Sequence, residues 1–232
     1  MKELIILKNI VKSFKRQTVL DNISISVCKG EIFGIVGNNG AGKTTLLKIM
    51  RGLLAPNDGE IYRCDGIRVG SLISSPKLYG DMTAFENLKI FSISKGYKFS
   101  KEELLSVLEN VGLSAIEKKL VSKFSTGMKQ RLGIAFALVG NSDVLLLDEP
   151  FNGLDIDGII DLRNLLLNLH EKYGTTIVIS SHNLDELAKI ITRLCIIRNG
   201  KLLVDAPASD IFEQYHDTSL ENIYLALNKK SI

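Results

Sequence analysis

Short apolar runs over residues 3–10, 19–27 and 32–36, separated by polar turns, predict strands at the start of the chain. Lys29-Gly30-Glu31 supplies the turn before Ile32-Phe33-Gly34-Ile35-Val36, whose length and β-branched content fit a buried strand. The period then changes. Leu46, Leu47, Ile49 and Met50 follow helical spacing, and Pro56-Asn57-Asp58-Gly59 ends that helix before a strand at Glu60-Ile61-Tyr62. From about 83 to 140 the pattern stays helical. Thr83 caps a segment carrying Phe85, Leu88 and Phe91, and Ser100 with Glu103 forms a capping box ahead of Leu104, Leu105, Leu108 and Val111. Residues 144–147 and 175–179 read as buried strands, and 195–204 as a hairpin turning at Asn199-Gly200. Strands alternating with helices imply an α/β fold, a mostly parallel sheet covered on both faces. An antiparallel β region leads it, a helical insertion occupies about 83–140, and a tail covers about 206–232. We expect a single domain over 1–232 with no internal repeat.

Composition narrows the classes. With 232 residues and 45% hydrophobic content the chain is able to bury a full core. The net charge of +3 is small and spread out, which gives no argument for nucleic acid or an anionic membrane as partner. Cys28, Cys64 and Cys195 lack metal-binding spacing and read as ordinary thiols of a reducing compartment. No apolar run approaches the roughly 18 residues of a spanning helix, and no signal peptide is evident, so a role at a membrane requires a separate spanning chain.

The chemistry begins at Gly37-Asn38-Asn39-Gly40-Ala41-Gly42-Lys43-Thr44-Thr45, which fits the phosphate-loop pattern G-x-x-x-x-G-K-[ST] between a predicted strand and a predicted helix. Its glycines let backbone N–H groups converge on phosphate oxygens at a helix N-terminus. Lys43 supplies charge for the β- and γ-phosphates, and the Thr44 hydroxyl is placed to bind Mg²⁺. A second site is Leu145-Leu146-Leu147-Asp148-Glu149-Pro150, an apolar strand ending in adjacent carboxylates. Ligands of such sheets collect at the carboxyl ends of strands. We assign Asp148 to the metal and Glu149 to the water that attacks the γ-phosphate. The third is Phe124-Ser125-Thr126-Gly127-Met128-Lys129-Gln130-Arg131, opening a helix marked by Leu132, Ala135, Phe136 and Val139. Taken alone, Ser125 there is a helix cap.

Taken together, residues 3 to about 205 resemble the ATP-binding subunits of ABC transporters, with the motifs in that family's order. Ser125-Thr126-Gly127-Met128-Lys129-Gln130 resembles the family's signature motif, and Asn152-Gly153-Leu154-Asp155 its D-loop. The resemblance implies a P-loop NTPase in which two ATP molecules are sandwiched in a head-to-tail dimer. Ser125 and Gly127 would then contact the γ-phosphate held by the partner subunit, Asp155 would cross the interface, and His182 in Ser180-Ser181-His182 would act as the switch histidine. Phe14 occupies the place of the aromatic that stacks on adenine, although by itself an aromatic there would be assigned to packing. His170 and His216 match nothing and read as surface groups. At the Q-loop position, where a glutamine or glutamate reaches Mg²⁺ and water, this chain has Ser74, too short to span the same gap directly. Phe136 stands where arginine is common, which reads as a packing difference.

The implied activity is ATP hydrolysis as the energy-coupling subunit of an exporter of drugs, peptide antibiotics or lipids. The implied cofactors are ATP and Mg²⁺. A second cassette, most simply a copy of this chain, and a separate transmembrane permease are the implied partners, which would place the chain on the inner face of the cell membrane. The tail 218–227 resembles the closing helix of exporter subunits that handle drugs, peptide antibiotics or lipids, and Gly70-Ser71-Leu72-Ile73 is similar to bacitracin- and lantibiotic-type exporters. The alternative is a non-transport ABC ATPase that drives assembly or remodelling. DNA-repair members carry a long coiled coil or zinc modules, and ribosome-acting members carry two phosphate loops, whereas this chain carries one.

Overall fold

The computed structural model describes residues 2–15, 17–116 and 118–229, with the side chains of 228 and 229 left aside. Strands β1 (Glu3–Phe14) and β2 (Gln17–Cys28) form an antiparallel hairpin, both longer than the sequence pattern predicts. Strand β3 (Ile32–Val36) feeds the phosphate loop and helix α1 (Lys43–Arg51), after which β4 (Asp58–Arg63) returns to pair antiparallel with β1. The small sheet therefore has the order β2-β1-β4.

The larger sheet is built from β5 (Val69–Leu72), β6 (Val144–Asp148), β7 (Thr176–Ser180), β3, β8 (Arg193–Arg198) and β9 (Lys201–Pro207), in that spatial order. All neighbours are parallel except β8 and β9. Those two form the predicted hairpin, and Asn199 and Gly200 turn it with φ of 48° and 76°, the left-handed pair that a tight two-residue hairpin requires. Strand β7 lies one residue later than predicted.

Alternation across this sheet explains its unbroken apolar runs. Ile32, Leu145, Leu147, Ile177, Ile179, Leu194 and Ile196 enter one core, whereas Phe33, Ile35, Val144, Leu146, Val178 and Ile197 enter the other. Both faces are buried, so every position of a central strand must be apolar. The first core also takes helices α2 (Ala84–Ser94), α3 (Lys101–Asn110), α4 (Thr126–Leu138) and α5 (Ile156–Tyr173). The second is closed by β1, β2 and α1. Thr83 and Ser100 cap α2 and α3 through the predicted reciprocal boxes with Glu86 and Glu103.

After β7 come the short helix α6 (Leu184–Ala188) and, past β9, α7 (Ala208–Tyr215) and α8 (Leu220–Lys229). Positions 230–232 of the predicted tail lie outside the described residues. Cys28, Cys64 and Cys195 are free, and burial pushes the Cys28 and Cys195 thiols above their ordinary range. Among the described residues, no helix is long and apolar enough to cross a membrane. Strands β3, β6 and β7 run parallel, so their carboxyl ends share one edge, and the loops that follow them meet there.

Candidate nucleotide site

The phosphate loop is forced on this sequence at Gly42, whose φ is 106°. A Cβ there would lie 2.6 Å from Leu20 Cδ2 and 2.9 Å from the Val19 carbonyl oxygen, so neither conformation nor space admits a side chain. Gly42 is the N-cap of α1 without a side-chain cap, and the first turn holds no acidic residue. Its N–H groups suit an anion.

Lys43 leaves that helix end with its side chain 7% exposed. Its Nζ donates to the Gly37 carbonyl at 2.6 Å and to that of Asn38 at 3.4 Å, and it lies 3.3 Å from Glu149 Oε1. The Thr44 hydroxyl donates to Asp148 Oδ2 at 2.7 Å. Ser180, the fully buried last residue of β7, donates its hydroxyl to Asp148 Oδ1 at 2.6 Å. Both carboxylate oxygens of Asp148 are thus pinned, and Ser180 is a site residue that sequence reasoning missed. Its one signal was a polar side chain ending an apolar strand.

Glu149 adopts φ of 49°, a left-handed conformation that costs a residue with a Cβ about 1–2 kcal/mol. Its N–H donates to the Ser180 carbonyl at 3.1 Å and hydroxyl at 3.0 Å, which offsets the strain. The kink breaks strand alternation immediately after Asp148 and separates the work of the two carboxylates. Glu149 Oε2 accepts from the His182 backbone N–H at 3.0 Å and pairs with His182 Nδ1 at 2.7 Å. A carboxylate only accepts, so Nδ1 is the donor in this pair, and the ring itself is half-exposed.

The remaining predicted residues fall elsewhere. Ser125 caps α4, its Oγ accepting from Met128 N–H at 3.3 Å, as its sequence alone indicates. Asp155 caps α5 through Gly158 N–H at 3.0 Å. A Cβ on Gly127 would lie 3.8 Å from Leu154 Cδ2, so the start of α4 and the 152–155 turn form one surface. No side-chain hydrogen bond or ion pair among the described residues joins that surface to Lys43, Thr44, Asp148, Glu149 or His182. Phe14 is not a core residue: at the turn end of the β1–β2 hairpin, opposite Gln17, it is 47% exposed, with Lys12 Nζ 5.3 Å from its ring centroid. Ser74 is exposed, with φ of 78° and no side-chain hydrogen bond among the described residues. Phe136 stacks on Phe91 at 4.6 Å between centroids, which bears out its packing role.

A cavity of about 480 Å³, lined by Lys29, Arg68, Asp143 and Thr175 among others, lies at the amino ends of the strands, away from this chemistry. A smaller one of about 230 Å³ borders Gly37, Asn38, Asn39 and His182.

A phosphate loop at one strand end, a pinned aspartate two strands away at the same sheet edge and a glutamate held by lysine and histidine define a nucleotide-binding domain of the phosphate-loop class. Residues 20–152 match the family model described as ABC transporter, and the chain belongs to that family. It is 38% identical over 206 residues to the lantibiotic transport ATP-binding protein SrtF of Streptococcus pyogenes, covering 86% of this chain and 89% of that one. It is 42% identical over 217 residues to the bacitracin transport ATP-binding protein BcrA of Bacillus licheniformis, covering 86% and 68%. Among solved structures, the dimeric bacterial ABC transporter cassette MJ0796 superposes with a TM-score of 0.76 at 26% identity, over 88% of this chain and 99% of that one. The same cassette in a post-hydrolysis dimer bound to ADP and Pi gives 0.77 at 25% identity. The chain is accordingly an ATP-binding, ATP-hydrolysing subunit that couples energy in an ABC transporter.

Proposed function

We propose that the chain hydrolyses ATP with Mg²⁺ to drive export of a drug, a peptide antibiotic or a lipid. In this reading it is one of two identical cassettes on the inner face of the membrane beneath a separate permease. The observation that carries the chemistry is the Glu149 carboxylate held between Lys43 and His182, beside the Thr44–Asp148 pair. Glu149 accepts the proton of the attacking water as the γ-phosphorus leaves the bridging oxygen of ADP. Lys43 and the α1 N–H groups would meet the charge of the β- and γ-phosphates, and His182, positioned by its Nδ1 contact with Glu149, would act as the switch histidine at the γ-phosphate.

The donor set fits Mg²⁺. Thr44 and Asp148 present hard oxygens, and the described residues include no group of three or more His, Cys, Asp or Glu able to hold a metal alone. Those two oxygens would hold Mg²⁺, which is ordinarily bound through one or two protein oxygens together with substrate phosphates. Bound there, it would neutralise charge on the transferred and leaving phosphates. Ser74 lies in the loop after β5, where the family's glutamine or glutamate would reach this metal.

Phe14 offers an exposed aromatic face to the adenine ring. Ser125, Gly127 and Asp155, gathered on a surface apart from Lys43, complete the site of the opposite cassette. The kinship with SrtF and BcrA supports the peptide-antibiotic cargo and the permease.

Glu149→Gln is the decisive variant. It keeps ATP binding, lowers turnover at least about a hundredfold, and elutes as a dimer from gel filtration with ATP and Mg²⁺. Lys43→Ala loses ATP binding itself. A monomeric Glu149→Gln with normal turnover would overturn the assignment.

A further inference from the structure

We propose that Tyr224, on the C-terminal helix α8, is a positioning residue for the phosphate loop, so that the tail helix sets the affinity for ATP. The inference rests on the ATP-binding reading of the loop. Tyr224 donates its hydroxyl to Asn38 Oδ1 at 2.6 Å, across 186 residues of chain. Asn38 opens the loop, and its carbonyl oxygen accepts from the Ala41 N–H at 3.0 Å and from Lys43 Nζ at 3.4 Å. One residue thus joins the loop's turn, the phosphate-binding lysine and the tail.

The tail is firm enough to act as a brace. Leu220 and Ile223 are 2% and 0% exposed, and they anchor α8 in the same core as β7 and α6. Asp217 fixes the start of that helix by accepting from the Ser219 N–H and the Asn222 amide, each at 2.8 Å. Helix α8 packs on α6, the helix that follows His182, and Tyr224, Asn38, Asn39, His182 and Leu184 share the walls of the cavity of about 230 Å³. Tyr224 therefore stands where the phosphate loop meets the histidine loop.

A glycine-rich loop loses much backbone freedom when it closes on phosphates. A hydrogen bond from an anchored helix reduces what remains to be lost, which is preorganisation and acts on binding. Glu149 and Asp148 hold their own partners without Tyr224, so the hydrolytic step is spared.

The test is Tyr224→Phe in the full chain, which removes the hydroxyl alone. We expect KM for ATP to rise about three- to tenfold, the worth of one net hydrogen bond, with kcat within about twofold. The ATP-induced rise in Tm, measured with Mg²⁺, shrinks as well. A merely structural tyrosine would lower Tm equally with and without ATP and leave that rise intact. Combined with Asn38→Ala, Tyr224→Phe adds nothing further, because the two variants break one bond. An unchanged KM, an intact ATP-induced rise, or effects that multiply in the double variant would overturn the proposal. A wild-type chain with no ATP-induced rise would instead overturn the reading of the loop.

Discussion

If Ser74 takes the Q-loop position, as we propose, it is the residue at which this chain's chemistry departs from its family's, and its backbone adds a constraint. The φ of 78° is left-handed, so a longer side chain introduced there starts from a strained direction but leaves a loop close to β5. With the phosphate loop intact, a short residue at the Q-loop position should weaken metal coordination more than nucleotide affinity. Ser74→Gln is therefore expected to lower the Mg²⁺ concentration for half-maximal ATPase rate, and Ser74→Ala to leave it as in wild type. Identical Mg²⁺ titrations for all three proteins would remove Ser74 from the site. The residues readable from sequence were those whose chemistry is local. Lys43 and Thr44 follow a glycine pattern that has one use, and Asp148 ends a strand whose apolar run marks its length. Ser180 and Tyr224 were not readable, because their partners lie 32 and 186 residues away and only the sheet order and the tail's docking bring them close. Phe14 was assigned to adenine by resemblance alone, since an aromatic read by itself belongs to packing; it stands exposed because its strand outruns the core that would have covered it.

Between elements, one buried charge network ties the two sheets together. Arg193 opens β8 and makes a bidentate pair with Asp205 of β9, both contacts at 2.7 Å, while donating to the Ser26 carbonyl of β2 at 3.1 Å. Its guanidinium also lies 3.7 Å from Glu31, which precedes β3 and is 5% exposed. Burial lifts the Glu31 carboxyl above its ordinary value of 4.5 in spite of Arg193. The folded chain thus holds that proton more tightly than the unfolded one. Glu31's contribution to stability is full below pH 4.5 and is lost as pH rises through the higher folded value. Glu31→Gln mimics the protonated form, so its stability relative to wild type should rise from pH 4.5 toward neutrality, as read by denaturant midpoints. Arg193→Ala leaves Glu31 and Asp205 without their cation and is expected to cost about 3–5 kcal/mol at pH 7. Equal pH profiles for Glu31→Gln and wild type would refute this account. The elements themselves followed from period and caps, whereas this network joins three strands and the turn before β3 and has no sequence signature.

At the scale of the whole molecule, the proposed catalytic unit is larger than the chain. Lys43, Thr44, Asp148, Glu149 and His182 are knit together at one sheet edge, while Ser125, Gly127 and Asp155 form a separate surface at the starts of α4 and α5. If a second copy brings that surface over the first copy's phosphates, each ATP contacts both chains, and much of the binding energy between them passes through nucleotide. Such an interface is weak before ATP binds and short-lived after hydrolysis. Turnover per chain then depends on how often two chains meet. Without its permease, the purified protein should show a specific ATPase activity that rises with protein concentration at saturating ATP and levels off once most chains are paired. In the dilute limit the rate per chain falls in proportion to concentration, so a hundredfold dilution from below the midpoint lowers it by nearly that factor. Adding the permease, which holds two cassettes side by side, should abolish the dependence by supplying a high effective concentration. A rate per chain that stays flat across the dilution series would mean that Lys43, Glu149 and His182 work within a single chain, and the surface at Ser125 and Asp155 would need another explanation.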